Sequence, residues 1–151
     1  RLDLLKTKHD QKSFDLYVYG SAEVIGLMCL QAFMQTKEYS LTEQDTLKKG
    51  AQALGAAFQK VNFLRDLSAD FEQLGRSYFP NVNVNSFNEE TKNRLVKDIQ
   101  EDLALSAKTI PLLPASSKKA ARATAANGGP IRFQKKLGAR WHRGALWERP
   151  C

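Results

Sequence analysis

Polar residues suited to binding metals and phosphates recur at helical spacing in the middle of the chain. Gln59, Asn62, Asp66 and Asp70 follow one another at steps of three and four, so on an α-helix they share one face. The backbones of the two aspartates are then roughly 6 Å apart along the axis. Two carboxylates at that spacing can share a hard cation such as Mg²⁺, which also takes phosphate oxygens and waters. Arg65, one position round, can reach a phosphate by a charge-assisted contact.

The same spacing has a simpler interpretation, because acidic residues four apart on a helix are often only a solvated face. Two observations favour a metal. The polar face adjoins apolar positions at Leu54 and Val61, and no lysine stands four residues on to form a surface ion pair. Asn62 would add a neutral oxygen ligand or a hydrogen-bond donor. An acid pair on the inner side of a helix calls for a cation.

One long helix, from about Thr42 to Gly75, is predicted to carry this polar face. Thr42 and Asp45 resemble a capping arrangement at its start, and Pro80 prevents its continuation. Its apolar positions recur at steps of three and four; they include Leu47, Ala51, Leu54, Ala57, Phe58, Val61, Leu64 and Leu67.

The remaining elements are also predicted to be helical, so the fold class is all-α. Residues 14–34 are apolar, lack proline and are too many for one strand, which predicts a mostly buried helix. Residues 81–85 alternate but are rich in asparagine, which favours a loop. A helix over about 87–108 follows a Ser86–Glu89 capping box, and an alanine-rich helix starts near Ser116. The apolar stripe of the 87–108 helix is predicted to be Leu95, Ile99, Leu103 and Leu105.

The charge of the chain is concentrated in its last quarter. The net charge is +7, but residues 1–114 hold 14 Lys/Arg and 15 Asp/Glu (net −1), whereas residues 115–151 hold nine Lys/Arg and one Glu (net +8). We therefore divide the chain into a neutral domain, 1–114, and a basic, partly irregular tail, 115–151. The two cysteines give no disulfide or metal spacing, which favours a reducing, cytoplasmic setting. No apolar run of the ~18 residues that span a bilayer is expected.

Two motifs resemble the signatures of the squalene/phytoene synthases. The run Ala51–Pro80 matches the family's second aspartate-rich signature, and Tyr17–Met28 (YVYGSAEVIGLM) matches its other signature, in family order. The resemblance covers about residues 10–114. The matching positions of the first run are Leu54, Gly55, Ala57, Gln59, Asn62, Arg65, Asp66 and Asp70, then Gly75, Arg76, Tyr78 and Pro80.

The resemblance implies an all-helical isoprenoid-synthase bundle, here in part, and a prenyltransferase of isoprenoid and carotenoid biosynthesis. Such enzymes join two prenyl diphosphates, farnesyl or geranylgeranyl, head to head. Mg²⁺ bridges the diphosphates to aspartates on two facing helices, and one diphosphate ionises to an allylic cation. Metal and arginine neutralise the leaving group, and a water-poor cavity protects the cation. NADPH is implied only where a squalene-type reductive step follows.

The resemblance also assigns roles to residues of this chain. Asp66 and Asp70 would be Mg²⁺ ligands, assisted by Asn62, and Gln59 would line the substrate cavity. Arg65, Arg76 and Tyr78 would approach the diphosphate, and Tyr17 would lie near the reacting centre. The small residues Gly20, Ser21 and Ala22 would let prenyl tails pass close to the helix. Without the resemblance, the tyrosines are equally well core residues and the glycines plain helix-packing positions.

The chain departs from the family pattern at three places. Nothing matches the family's first aspartate-rich motif, so the chain is expected to correspond to the C-terminal part of the enzyme and to lack one metal-binding face. Glu23 stands where many relatives have glycine and would be costly if it faced the cavity. Residues 127–151 have no helical period, although Trp141 and Trp147 stand among arginines. We favour an altered or frame-shifted C-terminus over a functional tail contacting RNA or a membrane interface.

Three hypotheses of function remain open. The favoured one is a prenyltransferase, active with its missing part or inactive alone, in the cytoplasm or peripheral at a membrane. The second is a non-catalytic family member that acts in assembly, and intact Asn62, Asp66 and Asp70 argue against it. The third is a helical domain whose basic tail binds nucleic acid with steep salt dependence; we do not expect a nucleic-acid partner.

Overall fold

The computed structural model describes residues 10–74 and 78–127, with side chains described in those ranges except at 68–74, 84 and 124–127. Five α-helices follow one another: α1 (Gln11–Val18), α2 (Val24–Phe33), α3 (Leu41–Leu74), α4 (Glu89–Thr109) and α5 (Ala115–Asn127). The described part of the chain contains no strand. The prediction of an all-α fold is confirmed.

The predicted N-terminal helix is continuous but not regular, because a π-helical turn, Tyr19–Glu23, joins α1 to α2. Asp10 caps the start, where its carboxylate accepts a hydrogen bond of 2.7 Å from the Ser13 amide. The expectation that this helix is mostly buried is wrong. Leu16 and Met28 are 71% and 67% exposed, because the helix packs against α3 along one side only.

The same helical stretch corrects the expectation about membrane-spanning length. Residues Gln11–Thr36 form a helix that is long and apolar enough, by length and composition alone, to cross a bilayer. The few charged and polar residues that interrupt its apolar run are too sparse to lower its mean hydropathy below that of a spanning helix. Core helices pass the same test, so this finding by itself does not place the chain in a membrane.

Helix α3 begins with a capping box two residues before the predicted one. The Ser40 hydroxyl accepts from the Glu43 amide at 3.2 Å, and the Glu43 carboxylate accepts from the Ser40 amide at 2.9 Å. The proposed Thr42–Asp45 arrangement is wrong, because Asp45 instead pairs with Lys49 at 2.7 Å. The predicted span of the helix agrees with the observed one, and Leu47, Ala57 and Leu64 are buried as predicted.

The connection from α3 to α4 is irregular, as predicted, and its cap differs from the prediction. Asn81 has a φ of 58°, in the left-handed region that asparagine tolerates better than most residues. Asn88 is the N-cap of α4, and its side chain accepts from the Thr91 amide at 2.9 Å. The proposed Ser86–Glu89 box is therefore wrong, because Ser86 closes a short 3₁₀ turn, Val84–Ser86, ahead of the helix.

Helix α4 packs along α3 and supplies much of the core. Leu95, Ile99 and Leu103 are buried as predicted, but Leu105 is 44% exposed. Its prediction as a core residue is wrong, because the helical period carries the buried face from Leu103 to Ser106 and Thr109. After Pro111, α5 folds back near the predicted position, and its Ala121 is buried against Ile110 and Leu113.

Candidate functional site

An apolar cavity of about 360 Å³ lies where α2, α3, the end of α4 and α5 meet. Four polar side chains line it among mainly apolar neighbours: Ser21, Gln59, Ser106 and Thr109. The lining includes Ala22, Gly26, Cys29, Leu30 and Phe33 from the N-terminal helix, Leu47, Ala51, Leu54, Gly55 and Phe58 from α3, and Thr109, Leu113 and Ala121 from the C-terminal elements. A space of this size and composition suits a hydrocarbon chain.

Two glycines let the N-terminal helix approach α3 closely enough to form the wall of this cavity. A Cβ at Gly55 would lie 2.5 Å from the Ala22 carbonyl oxygen, and a Cβ at Gly26 would overlap the Ala51 carbonyl oxygen. Because both opposing atoms belong to backbone, neither contact can be relieved by a side-chain rotation. The two signature motifs therefore meet backbone to backbone at this wall.

The predicted substrate-binding residues divide into two groups. Ser21, Ala22 and Gln59 line the apolar cavity. Gly20 and Asn62 are exposed and are not part of that lining. The Ser21 hydroxyl donates to the Tyr17 carbonyl oxygen at 2.7 Å and so ties the π-helical turn to α1. The binding roles of all five residues stay predictions.

Tyr17 and Tyr78, which are 61 positions apart in the sequence, come together on Phe63 of α3. The rings of Phe63 and Tyr78 are stacked with centroids 4.4 Å apart, and Tyr17 lies 5.6 Å from Phe63 and 5.5 Å from Tyr78. Such contacts stabilise a cluster by about 0.5–1.5 kcal/mol per pair beyond area burial. The structure thus brings together two residues that the sequence motifs assigned separately to the reacting centre and the diphosphate. Phe63, which joins them, carried no role in the sequence prediction.

Arg65 and Asp66 form a bidentate ion pair at the start of the predicted metal-binding stretch. The Arg65 Nε and Nη2 donate to the two Asp66 carboxylate oxygens at 2.8 Å and 2.6 Å. This hydrogen-bonded pairing, against a smaller effect of burial, raises the pKa of the Arg65 guanidinium. The Asp66 carboxylate can bind a metal ion only if it shares or exchanges this partner.

The structure describes only part of the other predicted metal-binding and diphosphate-binding residues. The Asp70 backbone belongs to α3, but its side chain and the whole of Arg76 lie outside the described residues. Among the side chains that the structure describes, no three His, Cys, Asp or Glu residues are grouped closely enough to hold a metal ion. The oxygen ligands of Asp66 and Asn62 are of the kind that Mg²⁺ prefers, and one or two carboxylates are enough when substrate phosphates complete its coordination.

A second, polar cavity of about 320 Å³ lies on the other side of the π-helical turn, between α1, α3 and α4. Lys60 lines it with only 13% of its side chain exposed and binds Asp98 and Asp102, each at 2.7 Å. Burial would lower the pKa of Lys60, but the hydrogen bonds to Asp102 and Asp98 outweigh burial and raise it. Lys60 is therefore a charged bridge from α3 to α4.

Glu23 faces this polar cavity and not the apolar one. Its carboxylate accepts a hydrogen bond of 3.0 Å from the Gln52 amide. Burial raises the pKa of the Glu23 carboxyl, and the hydrogen bond from Gln52 offsets only part of that rise. The sequence suggested that Glu23 would be a costly unpaired charge if it faced the apolar cavity, but it did not suggest Gln52 as a partner across the helix interface.

The chain is similar to known proteins over the same region. The family model described as Squalene/phytoene synthase matches residues 1–108. Phytoene synthase 3, chloroplastic, from Zea mays is 41% identical over 83 residues, which are 53% of this chain and 18% of the relative. Phytoene synthase, chloroplastic, from Narcissus pseudonarcissus is 40% identical over 83 residues, 53% of this chain and 19% of the relative.

These lengths set the extent of the comparison. The chain spans about a fifth of the length of the curated relatives that it matches. No solved structure matches it significantly. The family match covers both motifs and the cavity-lining residues as far as Ser106. This chain belongs to the squalene/phytoene synthase family.

Proposed function

We propose that the chain contributes to the Mg²⁺-dependent head-to-head condensation of two prenyl diphosphates, in the manner of a phytoene synthase. The observation that carries the proposal is the convergence of both signature motifs on one apolar cavity. Ser21 and Ala22 come from the first motif, and Leu54, Gly55 and Gln59 come from the second. Family membership supports the same reaction class.

The side chains of this cavity suit the substrate and the intermediate of that reaction. The apolar walls hold a prenyl tail and exclude the water that would otherwise capture an allylic cation. Gln59 and Ser21 offer polar atoms at the border of the apolar space. Outside this lining, the rings of Tyr17, tilted against Phe63, and Tyr78, stacked on it, can stabilise positive charge through their π faces, and their hydroxyls can donate to a departing diphosphate.

Asp66 and Asp70, with Asn62, are the residues that would hold Mg²⁺. When bound, the ion supplies positive charge that stabilises the leaving diphosphate. Arg65 lies beside Asp66 and can turn from that carboxylate to a phosphate oxygen, because its charge remains fixed at any physiological pH. NADPH enters only for a squalene-type reduction.

The substrates that fit are farnesyl or geranylgeranyl diphosphate, whose tails are sparingly soluble. The exposed apolar side of the N-terminal helix supports peripheral contact with a membrane that holds such molecules, from the cytoplasmic side. Leu16, Tyr19 and Met28 are 45–71% exposed on this side, here called the outer apolar face.

Ligand binding to the full chain tests the proposal without requiring turnover. Geranylgeranyl diphosphate with Mg²⁺ should raise the melting temperature of the wild type, and Asp66→Asn should remove most of that shift. Asp45→Asn is the matched control, since Asp45 is an exposed aspartate on the same helix and pairs only with Lys49 in the ion pairs described there. An equal shift with Mg²⁺ omitted, or with Asp66→Asn, would contradict the metal role. Binding that depends on the prenyl tail of the ligand but not on its diphosphate would favour the non-catalytic assembly hypothesis.

A further inference from the structure

The π-helical turn Tyr19–Glu23 separates the apolar cavity from the polar cavity. Ser21 and Ala22 line the apolar cavity, whereas Glu23 lines the polar one. Helix α3 is divided in the same way, because Gly55 lines the apolar cavity and Gln52 the polar one. A displacement of this turn would therefore change the shape of the apolar cavity directly.

Two contacts, three residues apart on α3, fix the turn from opposite sides. On the apolar side, the backbone at Gly55 abuts the Ala22 carbonyl group. On the polar side, Gln52 Nε2 donates to Glu23 Oε2 at 3.0 Å. The first contact is steric and prevents closer approach, whereas the hydrogen bond is directional and prevents separation and rotation.

Glu23 is a more expensive choice than this geometry requires. A glutamine would offer the same acceptor to Gln52 without the desolvation of a carboxylate, and burial does disfavour the charged form of Glu23. The charges that face it come from Asp15 on α1, Lys60 on α3 and Asp102 on α4, and they oppose one another in sign. The hydrogen bond to Gln52, and not the charge of Glu23, is therefore what holds the turn to α3.

We propose that Glu23 and Gln52 are a positioning pair for prenyl-chain binding, which holds the π-helical turn so that Ser21 and Ala22 keep the wall of the apolar cavity in shape. This inference rests on the proposed function for its ligand. Neither residue touches the apolar space, so the pair acts through the backbone of the turn and not by contact with the substrate.

The test compares a ligand with a prenyl tail and one without, using the full chain and Mg²⁺. Glu23→Ala and Gln52→Ala should each weaken geranylgeranyl diphosphate binding about tenfold, as expected for loss of a half-buried hydrogen bond, and leave inorganic pyrophosphate binding unchanged. The double variant should be no weaker than either single one. Glu23→Gln should bind geranylgeranyl diphosphate as tightly as the wild type, because glutamine offers the same acceptor to Gln52. If the alanine variants do not fold, Gln52→Ala in the Glu23→Gln background breaks the hydrogen bond without leaving an unpaired charge.

Asp98→Asn is the matched control, because it weakens the Lys60 bridge that joins α3 to α4, and its carboxylate is not one of the charges that face Glu23. It should leave both affinities unchanged. The inference would be overturned if the alanine variants bound both ligands equally more weakly, or if the losses of affinity added up in the double variant. It would also be overturned if Glu23→Gln bound geranylgeranyl diphosphate as weakly as Glu23→Ala. If the wild type binds no prenyl diphosphate, the proposed function fails; amide hydrogen exchange in Tyr19–Glu23 then decides the positioning role, which is refuted if Gln52→Ala leaves that exchange unchanged.

Discussion

Arg65 and Asp66 show how one neighbouring pair can serve two states of a site. Without ligand, each side chain satisfies the other through two short hydrogen bonds, at positions that are 51% and 36% exposed. Because an exposed ion pair contributes at most about 1 kcal/mol, exchanging it for contacts with a metal and a diphosphate is inexpensive. The sequence suggested the chemistry of both residues but not that they would engage each other.

The carboxyl of Glu23 gives a prediction about stability and pH. Its folded-state pKa is raised by burial, so the protonated form is favoured in the fold, and stability from this residue is lost as pH rises through that pKa. We therefore expect Glu23→Gln to raise the melting temperature above the wild-type value at pH 7, with the difference disappearing below the ordinary pKa of glutamate. Thermal denaturation across pH 3–8 measures this, and a constant difference over the whole range would contradict it.

At the scale of elements, Gly55 predicts a sharp difference between two glycine substitutions. Gly55→Ala places a methyl group 2.5 Å from the Ala22 carbonyl oxygen and should destabilise the chain by about 1–3 kcal/mol. Gly20→Ala is the matched control, because a Cβ there has no described atom within 4 Å. It should be neutral or stabilise the helix by up to about 1 kcal/mol. Urea denaturation of both variants checks the contrast, and equal effects would refute the close approach.

The start of α4 gives a second prediction at this scale. Asn88→Ala removes the side-chain acceptor for the Thr91 amide and should lower the free energy of unfolding by about 1 kcal/mol. Ser86→Ala should have a much smaller effect, because Ser86 lies in the preceding turn. Chemical denaturation distinguishes the two positions, and a larger loss for Ser86→Ala would restore the capping box predicted from the sequence.

For the whole molecule, the outer apolar face predicts binding to lipid surfaces. Leu16 and Met28 are 71% and 67% exposed and do not line the apolar cavity, and their replacement by glutamate should sharply reduce co-sedimentation with phospholipid vesicles. Lys97→Glu, an exposed change on α4, is the control for net charge, because it lowers the net charge by two, as the double glutamate variant does. If all variants sediment like the wild type, this face is not the contact surface.

The sequence was sufficient for the helices, because their apolar periods and breakers are local. The bounds of α3 were predicted to within about one residue, and the matched motifs selected Ser21, Ala22 and Gln59, which do line one cavity. The exposure of Leu16 and Met28 could not be predicted, because an apolar residue is buried only when a neighbouring element covers it. The caps were misplaced because several Ser, Thr and Asn residues near each start offer similar local hydrogen bonds.

The π-helical turn also could not be predicted from the sequence. It changes the rotation of α2 about the helix axis relative to α1, and no particular residue type marks such a turn. One extra residue in a turn advances the helix beyond it by about 100° relative to a regular α-helix. Deleting a single residue from Tyr19–Glu23 would therefore rotate all of α2, carrying Gly26 away from Ala51 and Cys29 away from the cavity. We therefore expect the first motif to be constrained in length as well as in composition, because a single-residue insertion or deletion in this turn would rotate one wall of the cavity away from the other.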